Sequence, residues 1–200
     1  MKPFIEKTFT IPALTGISAK SIEEHLKLYA GYVKNANLIL EKIPDYKAWS
    51  ANDAFVLYCV AELQRRFAFE FNGMRNHEYY FHSLEGGATP IRDGQLKTAI
   101  TEQFGSYEDF LASFKTLAMT RGVGWAWLYL DTLTGKLLTQ WVDEQHIGHL
   151  LGLSPILGLD VWEHAYVFDY QPSGKKQYIE DFFSNLNWSA IEKNYAKALQ

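Results

Sequence analysis

Apolar positions recur at steps of three and four through residues 17–43, ISAKSIEEHLKLYAGYVKNANLILEKI, where Ile22, Leu26, Tyr29, Val33, Ala36 and Leu40 share one face. That repeat predicts an amphipathic helix of about seven turns. Ser18 or Ser21 is placed to cap it, Glu23 and Glu24 fall in the expected first turn, where carboxylates suit the helix dipole, and Pro44 is expected to close it. A second helical stretch runs from about Asn52 to Leu84 and contains Gly73. Glycine inside a helix costs about 1 kcal/mol relative to alanine, so Gly73 points to close packing or to a site that needs room. Two long helices joined by a short turn are expected to pack as an antiparallel hairpin.

The stretch LEGGATPIRDG, residues 84–94, gathers glycines with Pro90 and Asp93 and reads as a linker. Beyond it the pattern changes. Helical segments at about 95–104 and 106–120 precede GVGWAWLYLD, whose apolar and aromatic run suits a strand. TLTG then makes a turn and KLLTQWVD a second strand, with a third near PILGLDVW and a final helical region, YIEDFFSNLNWSAIEKNYAKAL. No internal repeat or low-complexity tract interrupts this order. The expected class is α+β: an N-terminal antiparallel helical hairpin over 1–86, then a C-terminal α/β domain over 87–200 with a small three-stranded antiparallel sheet.

Composition narrows the possible roles. Aromatic residues make up 16% of the chain, so flat rings must build the core or line a site. The net charge of −4, with no run of Lys and Arg, argues against a nucleic-acid partner. A single cysteine, Cys59, cannot form an intramolecular disulfide, which fits a reducing compartment. MKPFIEKTFTIPAL lacks the basic-then-apolar pattern of a secretory signal. LLGLSPILGLDVW, interrupted by Pro155 and Asp160, is too short to span a bilayer. The expectation is a cytoplasmic enzyme or binding protein with no membrane partner.

In DVWEHAYVFDYQ, residues 160–171, Asp160 and His164 stand four apart among bulky apolar neighbours. A buried carboxylate needs a compensating charge, supplied by a salt bridge or by a metal ion. The six histidines are His25, His77, His82, His146, His149 and His164. His25 shares its helix face with Tyr29 and Tyr32, and His77 follows Gly73 by four. Three imidazoles (His25, His77, His164) and the Asp160 carboxylate would make a nitrogen-and-oxygen donor set suited to a redox-capable ion such as iron or manganese. Each residue also has an ordinary reading: a hydrogen-bonded core histidine, a buried Asp160–His164 ion pair, packing tyrosines, and GWAWL as strand core.

At these segments the chain resembles the iron/manganese superoxide dismutases, and the resemblance covers nearly its whole length. DVWEHAY matches that family's signature; GVGWAWL, PILGLDVWEHAY, YIEDFFSNLNW, NHEYYF and YVKNAN fall in its order and spacing. The resemblance implies one manganese or iron ion per subunit, held by His25, His77, Asp160 and His164 with a solvent molecule as fifth ligand. The ungapped match of ISAKSIEEH selects His25 over Glu24. Trp125, Trp127 and Trp162 would wall the site, and the reaction implied is disproportionation of superoxide to oxygen and hydrogen peroxide.

The same resemblance assigns Gln145 to the bound solvent, with His146 as rival, and Tyr32 to the gateway of the site. Gly73, Gln145 and Gly158 match the manganese pattern and favour manganese or dual-metal use. Two positions depart from the family: Tyr29 stands for a usual histidine and Val167 for the tyrosine that partners it, which bears on the proton relay. Glu163 implies a symmetric homodimer in which it pairs with His164 of the partner subunit, and Lys175 is a candidate for steering the anionic substrate. Two other classes compete: a non-haem iron oxygenase, which a third histidine ligand disfavours, and a non-catalytic interaction protein, which retention of all four ligand types disfavours.

Overall fold

The computed structural model describes residues 2–49 and 53–200. Helix α1 runs Ala19–Trp49 and α2 runs Ala54–Leu84. Ser18 is the residue that caps α1, its Oγ accepting the Ser21 N–H at 3.1 Å. Because the helix starts at Ala19, Glu23 and Glu24 fall beyond the first turn and instead pair with Lys20 and Lys27 on either side at helical spacing. Pro44 does not close α1, which continues through it to Trp49. A proline removes one backbone bond, and at this exposed position water can take the freed carbonyl. The expected helix start at Asn52, and the turn joining the two helices, lie outside the described residues; α2 is capped by Asp53, whose Oδ1 accepts from Phe55 N at 2.8 Å.

The two helices are antiparallel, as their pairings read in opposite directions. His25 meets Phe81, Tyr29 meets Glu78, Tyr32 lies over Gly73, and Asn35 meets Glu70. No helix among the described residues is long and apolar enough to cross a membrane.

Helices α3 (Gln95–Phe104) and α4 (Tyr107–Ala118) follow the linker. Ser106 caps α4 through its Oγ, and the helix ends two residues before the expected 120. The sheet comprises β1 (Gly124–Asp131), β2 (Lys136–Asp143) and β3 (Ser154–Asp160) in the order β2-β1-β3, all antiparallel. Central β1 is buried at every residue but its last, which is why GWAWLYL is a continuous apolar run and not an alternating one. Its register sets Trp125 opposite Asp160 and Trp127 opposite Gly158.

Strand β3 stops at Asp160, short of the expected VW, because the chain turns there into a helix that periodicity did not announce: α5, Glu163–Tyr170. A single 3-10 turn, Pro172–Gly174, leads to α6 (Lys175–Ser184) and α7 (Trp188–Ala198). The expected single C-terminal helical region is therefore two helices. Asn185 and Asn187 divide it by bonding elsewhere: Asn185 Nδ2 donates to Thr15 O at 2.8 Å and Asn187 Nδ2 to Glu85 O at 2.7 Å, while Asn187 Oδ1 caps α7.

Candidate metal centre

Four elements each deliver one donor. His25 projects from the second turn of α1, His77 from α2, Asp160 from the last residue of β3, and His164 from the first turn of α5. Their donor atoms all lie within 4.8 Å of one another. Nε2 of His164, His25 and His77 stand 3.1, 3.2 and 3.5 Å from the same oxygen, Asp160 Oδ2. The other carboxylate oxygen, Oδ1, accepts the Trp162 N–H at 2.8 Å, which leaves Oδ2 alone to face the imidazoles.

The ring of His77 is oriented by its own helix. Its Nδ1 lies 2.6 Å from the Gly73 carbonyl. A carbonyl only accepts, so Nδ1 carries the proton and Nε2 presents a lone pair. That Nε2 is buried with no hydrogen-bond partner. Leaving a buried polar atom unpaired costs about 1–3 kcal/mol, a cost that a cation in the pocket would remove.

Electrostatics point the same way. Burial, reinforced by the charge of His25, holds the His77 imidazole down at about 3, and burial likewise lowers His25. Burial alone would raise the Asp160 carboxyl, but the charge and hydrogen bond of His164 and the hydrogen bond of His25 outweigh it and keep the group well below the usual carboxylate range. At neutral pH the pocket therefore offers free lone pairs on His25 and His77 beside an ionised carboxylate. Donors bonded at about 2.1 Å with angles of 90–120° stand roughly 3–3.6 Å apart. The three spacings from Asp160 Oδ2 fall in that range, and the donor set fits iron or manganese.

Aromatic rings line this point. Trp162 stacks on His164 with centroids 5.6 Å apart, Trp125 meets His77 edge-on at 5.2 Å, and Tyr80 and Phe81 flank His25 at 4.9 and 5.0 Å. Trp127 stacks on Trp125 and stands one ring further back. Gly73 is small for a visible reason: a Cβ there would lie 2.5 Å from the Tyr32 ring. Gly158 is equally constrained, with the Trp127 ring 2.5 Å from where its Cβ would be.

The remaining predicted residues divide into two groups. Gln145 is fully buried beside the pocket, its Oε1 accepting from Trp125 Nε1 at 3.0 Å and its Nε2 donating to the Tyr32 hydroxyl at 3.1 Å. The Tyr32 ring in turn packs 5.1 Å from His77. His146 packs on Phe69 and its Nδ1 has no hydrogen-bond partner. The Tyr29 hydroxyl is turned to the N-terminal segment, accepting from Lys7 N at 2.9 Å and reaching Glu78 at 3.4 Å. Glu24 is exposed among lysines and faces no part of the cluster. Lys175 is not a free surface cation: its Nζ donates to Thr120 O at 2.7 Å and lies over the Trp141 ring. Sequence reasoning missed Asn76, which donates to the Gln145 backbone carbonyl at 3.0 Å, and His149 and Tyr129 beside it; only the adjacency of Asn76 to His77 hinted at any of them.

A helical hairpin and an α/β half bring three imidazoles and one carboxylate to one point, the donor set of the mononuclear non-haem metal class. Residues 92–194 match the C-terminal domain of the iron/manganese superoxide dismutases. The superoxide dismutase [Fe] of Tetrahymena pyriformis is 35% identical over 182 residues, covering 88% of this chain and 90% of that protein. The superoxide dismutase [Mn] of Nocardia asteroides is 35% identical, covering 88% and 82%, and the [Fe] enzyme of Aquifex pyrophilus 34% identical, covering 94% and 88%. The chain belongs to the iron/manganese superoxide dismutase family.

Proposed function

We propose that the chain converts two superoxide ions and two protons to oxygen and hydrogen peroxide, using one iron or manganese ion per subunit held by His25, His77, Asp160 and His164. The observation that carries this reading is the convergence of three Nε2 atoms on Asp160 Oδ2, with His77 Nε2 otherwise unpartnered. When bound, the ion supplies two adjacent oxidation states, so that one superoxide can give up an electron and a second can take one.

The chain's own residues do the rest. The Gly73 carbonyl fixes the His77 ring and the Trp162 N–H fixes Asp160, so both donors are held before any ion arrives. The amide of Gln145, clamped between Trp125 and Tyr32, is the group we assign to the solvent molecule at the metal; His146 shares neither bond. Burial and the nearby Asp160 charge raise the Tyr32 hydroxyl well above its ordinary range. It therefore keeps its proton at neutral pH and can offer reduced oxygen a hydrogen bond. Tyr29 contributes to proton delivery only from a distance, through the polar group it forms with Lys7 and Glu78.

Manganese or dual-metal use is favoured by the glycine pair. The iron pattern places glutamine at position 73, and any side chain there would collide with Tyr32. Glu163 is exposed, makes no ion pair among the described residues, and neighbours His164, the ligand whose side chain keeps 21% exposure. That combination supports a symmetric homodimer in which Glu163 bonds His164 of the partner subunit. The two halves, 1–86 and 87–200, would each supply two of the four ligands, and the lone Cys59 suits a cytoplasmic setting.

Reconstituting metal-free protein with manganese and with iron in separate batches tests the reading. The manganese form is expected to be at least as active as the iron form. Activity confined to iron would overturn the metal assignment, and inactivity of both fully loaded forms would overturn the function.

A further inference from the structure

Gln145 sits just past β2 in a turn whose ends, Asp143 and Ile147, are joined by paired backbone bonds of 2.8 and 3.1 Å. Glu144, immediately before it, has φ of 50°, a left-handed conformation unfavourable for a residue with a Cβ. The backbone carbonyl of Gln145 is gripped from two sides. Asn76 Nδ2 donates to it at 3.0 Å, and His149 Nε2 lies 3.1 Å from it. The other nitrogen of that ring, Nδ1, is 2.5 Å from the Tyr129 hydroxyl.

On a neutral His149 ring, only one distribution of protons satisfies both contacts. The Gln145 carbonyl can only accept, so Nε2 must carry the ring proton; Nδ1 then accepts, and the Tyr129 O–H must donate to it. The alternative tautomer would set an imidazole lone pair against a carbonyl lone pair. Burial, which disfavours a charged ring, lowers the affinity of His149 for a second proton and keeps it in the neutral form this arrangement needs. Tyr129 lies on β1, two residues beyond Trp127, and β1 also carries Trp125, the donor to the Gln145 side chain. One strand thus holds the amide of Gln145 directly and its backbone through His149.

We propose that Tyr129 and His149 form a positioning pair for Gln145, setting where its amide meets the solvent at the metal and thereby the reduction potential of the ion. This rests on the role given to Gln145 above. Neither residue hydrogen-bonds any of the four donors; both rings also pack on Trp127, but only their hydrogen bonds reach Gln145. A cavity of about 290 Å³ borders the pair, lined among others by Asn76, Trp127, Tyr129 and His149. Shortening His149 would open onto that space and admit water, without creating a sealed void.

The test uses full-length, metal-loaded protein carrying His149→Leu, His149→Gln, Tyr129→Phe or Gln145→Leu, with reduction potential, visible absorption of the oxidised ion, metal content and turnover measured on each. His149→Leu is expected to retain its metal, to shift both potential and absorption, and to lose about tenfold in turnover. His149→Gln, whose amide can still donate to the carbonyl, should restore most of that loss. In a Gln145→Leu background, His149→Leu should cause no further shift in potential, the non-additivity expected of residues that act as one unit. If Gln145→Leu shifts the potential and His149→Leu does not, the positioning role is wrong. If neither shifts it, the reading of Gln145 itself falls. Should His149→Leu fail to fold, Tyr129→Phe carries the same expectation, and ring nitrogen chemical shifts of His149 in the unsubstituted metal-free protein decide independently. A proton on Nε2 supports the proposal; a proton on Nδ1 overturns it.

Discussion

A single lone pair makes the sharpest statement about this molecule. His77 gives its Nδ1 proton to the Gly73 carbonyl, and its Nε2 then faces a fully buried point with nothing to bond. The same dryness has a consequence for acid stability. His77 is held at about 3, below the ordinary histidine value, and His25 is also lowered, so the folded chain takes up these protons less readily than the unfolded chain. Groups depressed in the fold contribute stability above the unfolded value that is lost as pH falls towards the folded one. Metal-free protein should therefore lose stability steadily from about pH 6.5 down to about 3. Urea titrations across that range check this, and an unchanged midpoint would contradict the neutral imidazoles. Asp160 and His164 were legible in the sequence as chargeable groups among apolar neighbours. His25 became legible through the family resemblance, since a histidine on an amphipathic helix has an ordinary core reading. The Tyr129–His149 contact carried no signal at all: it forms across a turn of the chain, where neither periodicity nor a spacing rule operates.

The elements separate what periodicity encodes from what packing decides. The long helices, the central strand and its hairpin follow from patterns of apolar residues within one segment. Helix α5 did not, because an eight-residue helix offers little more than two turns of pattern, and EHAYVFDY reads equally as an extended aromatic run. The break between α6 and α7 was hidden for another reason. Asn185 and Asn187 end one helix and start the next through bonds to Thr15, Glu85 and Thr89, partners far away in the sequence. Replacing Asn187 with alanine removes the α7 cap together with its bonds to Glu85 and Thr89, and is expected to cost roughly 1–3 kcal/mol. Denaturant midpoints would register that loss. A midpoint within error of the parent protein would mean that the break between the helices is set by something other than Asn187.

For the whole molecule, the metal pocket is where the two halves of the chain meet. α1 and α2 bring two donors, β3 and α5 the other two, and the aromatic content noticed first in the composition forms the wall around them. Tyr80 and Tyr178 extend that wall from the hairpin to α6, the Tyr178 hydroxyl donating to the Asp160 carbonyl at 2.8 Å. The homodimer proposed through Glu163 makes a prediction at this scale. Glu163→Ala should weaken dimerisation and raise the fraction of monomer seen by sedimentation, with the metal retained by the four donors of each chain. A dimer of undiminished strength would place the contact elsewhere on the surface. The central claim, that three imidazoles and one carboxylate hold one redox ion, is tested most directly by elemental analysis of the purified protein beside His77→Ala. The account predicts one manganese or iron per chain in the parent protein and loss of that stoichiometric metal in the variant. Full metal content in His77→Ala, or a parent protein that takes up neither ion, would contradict it.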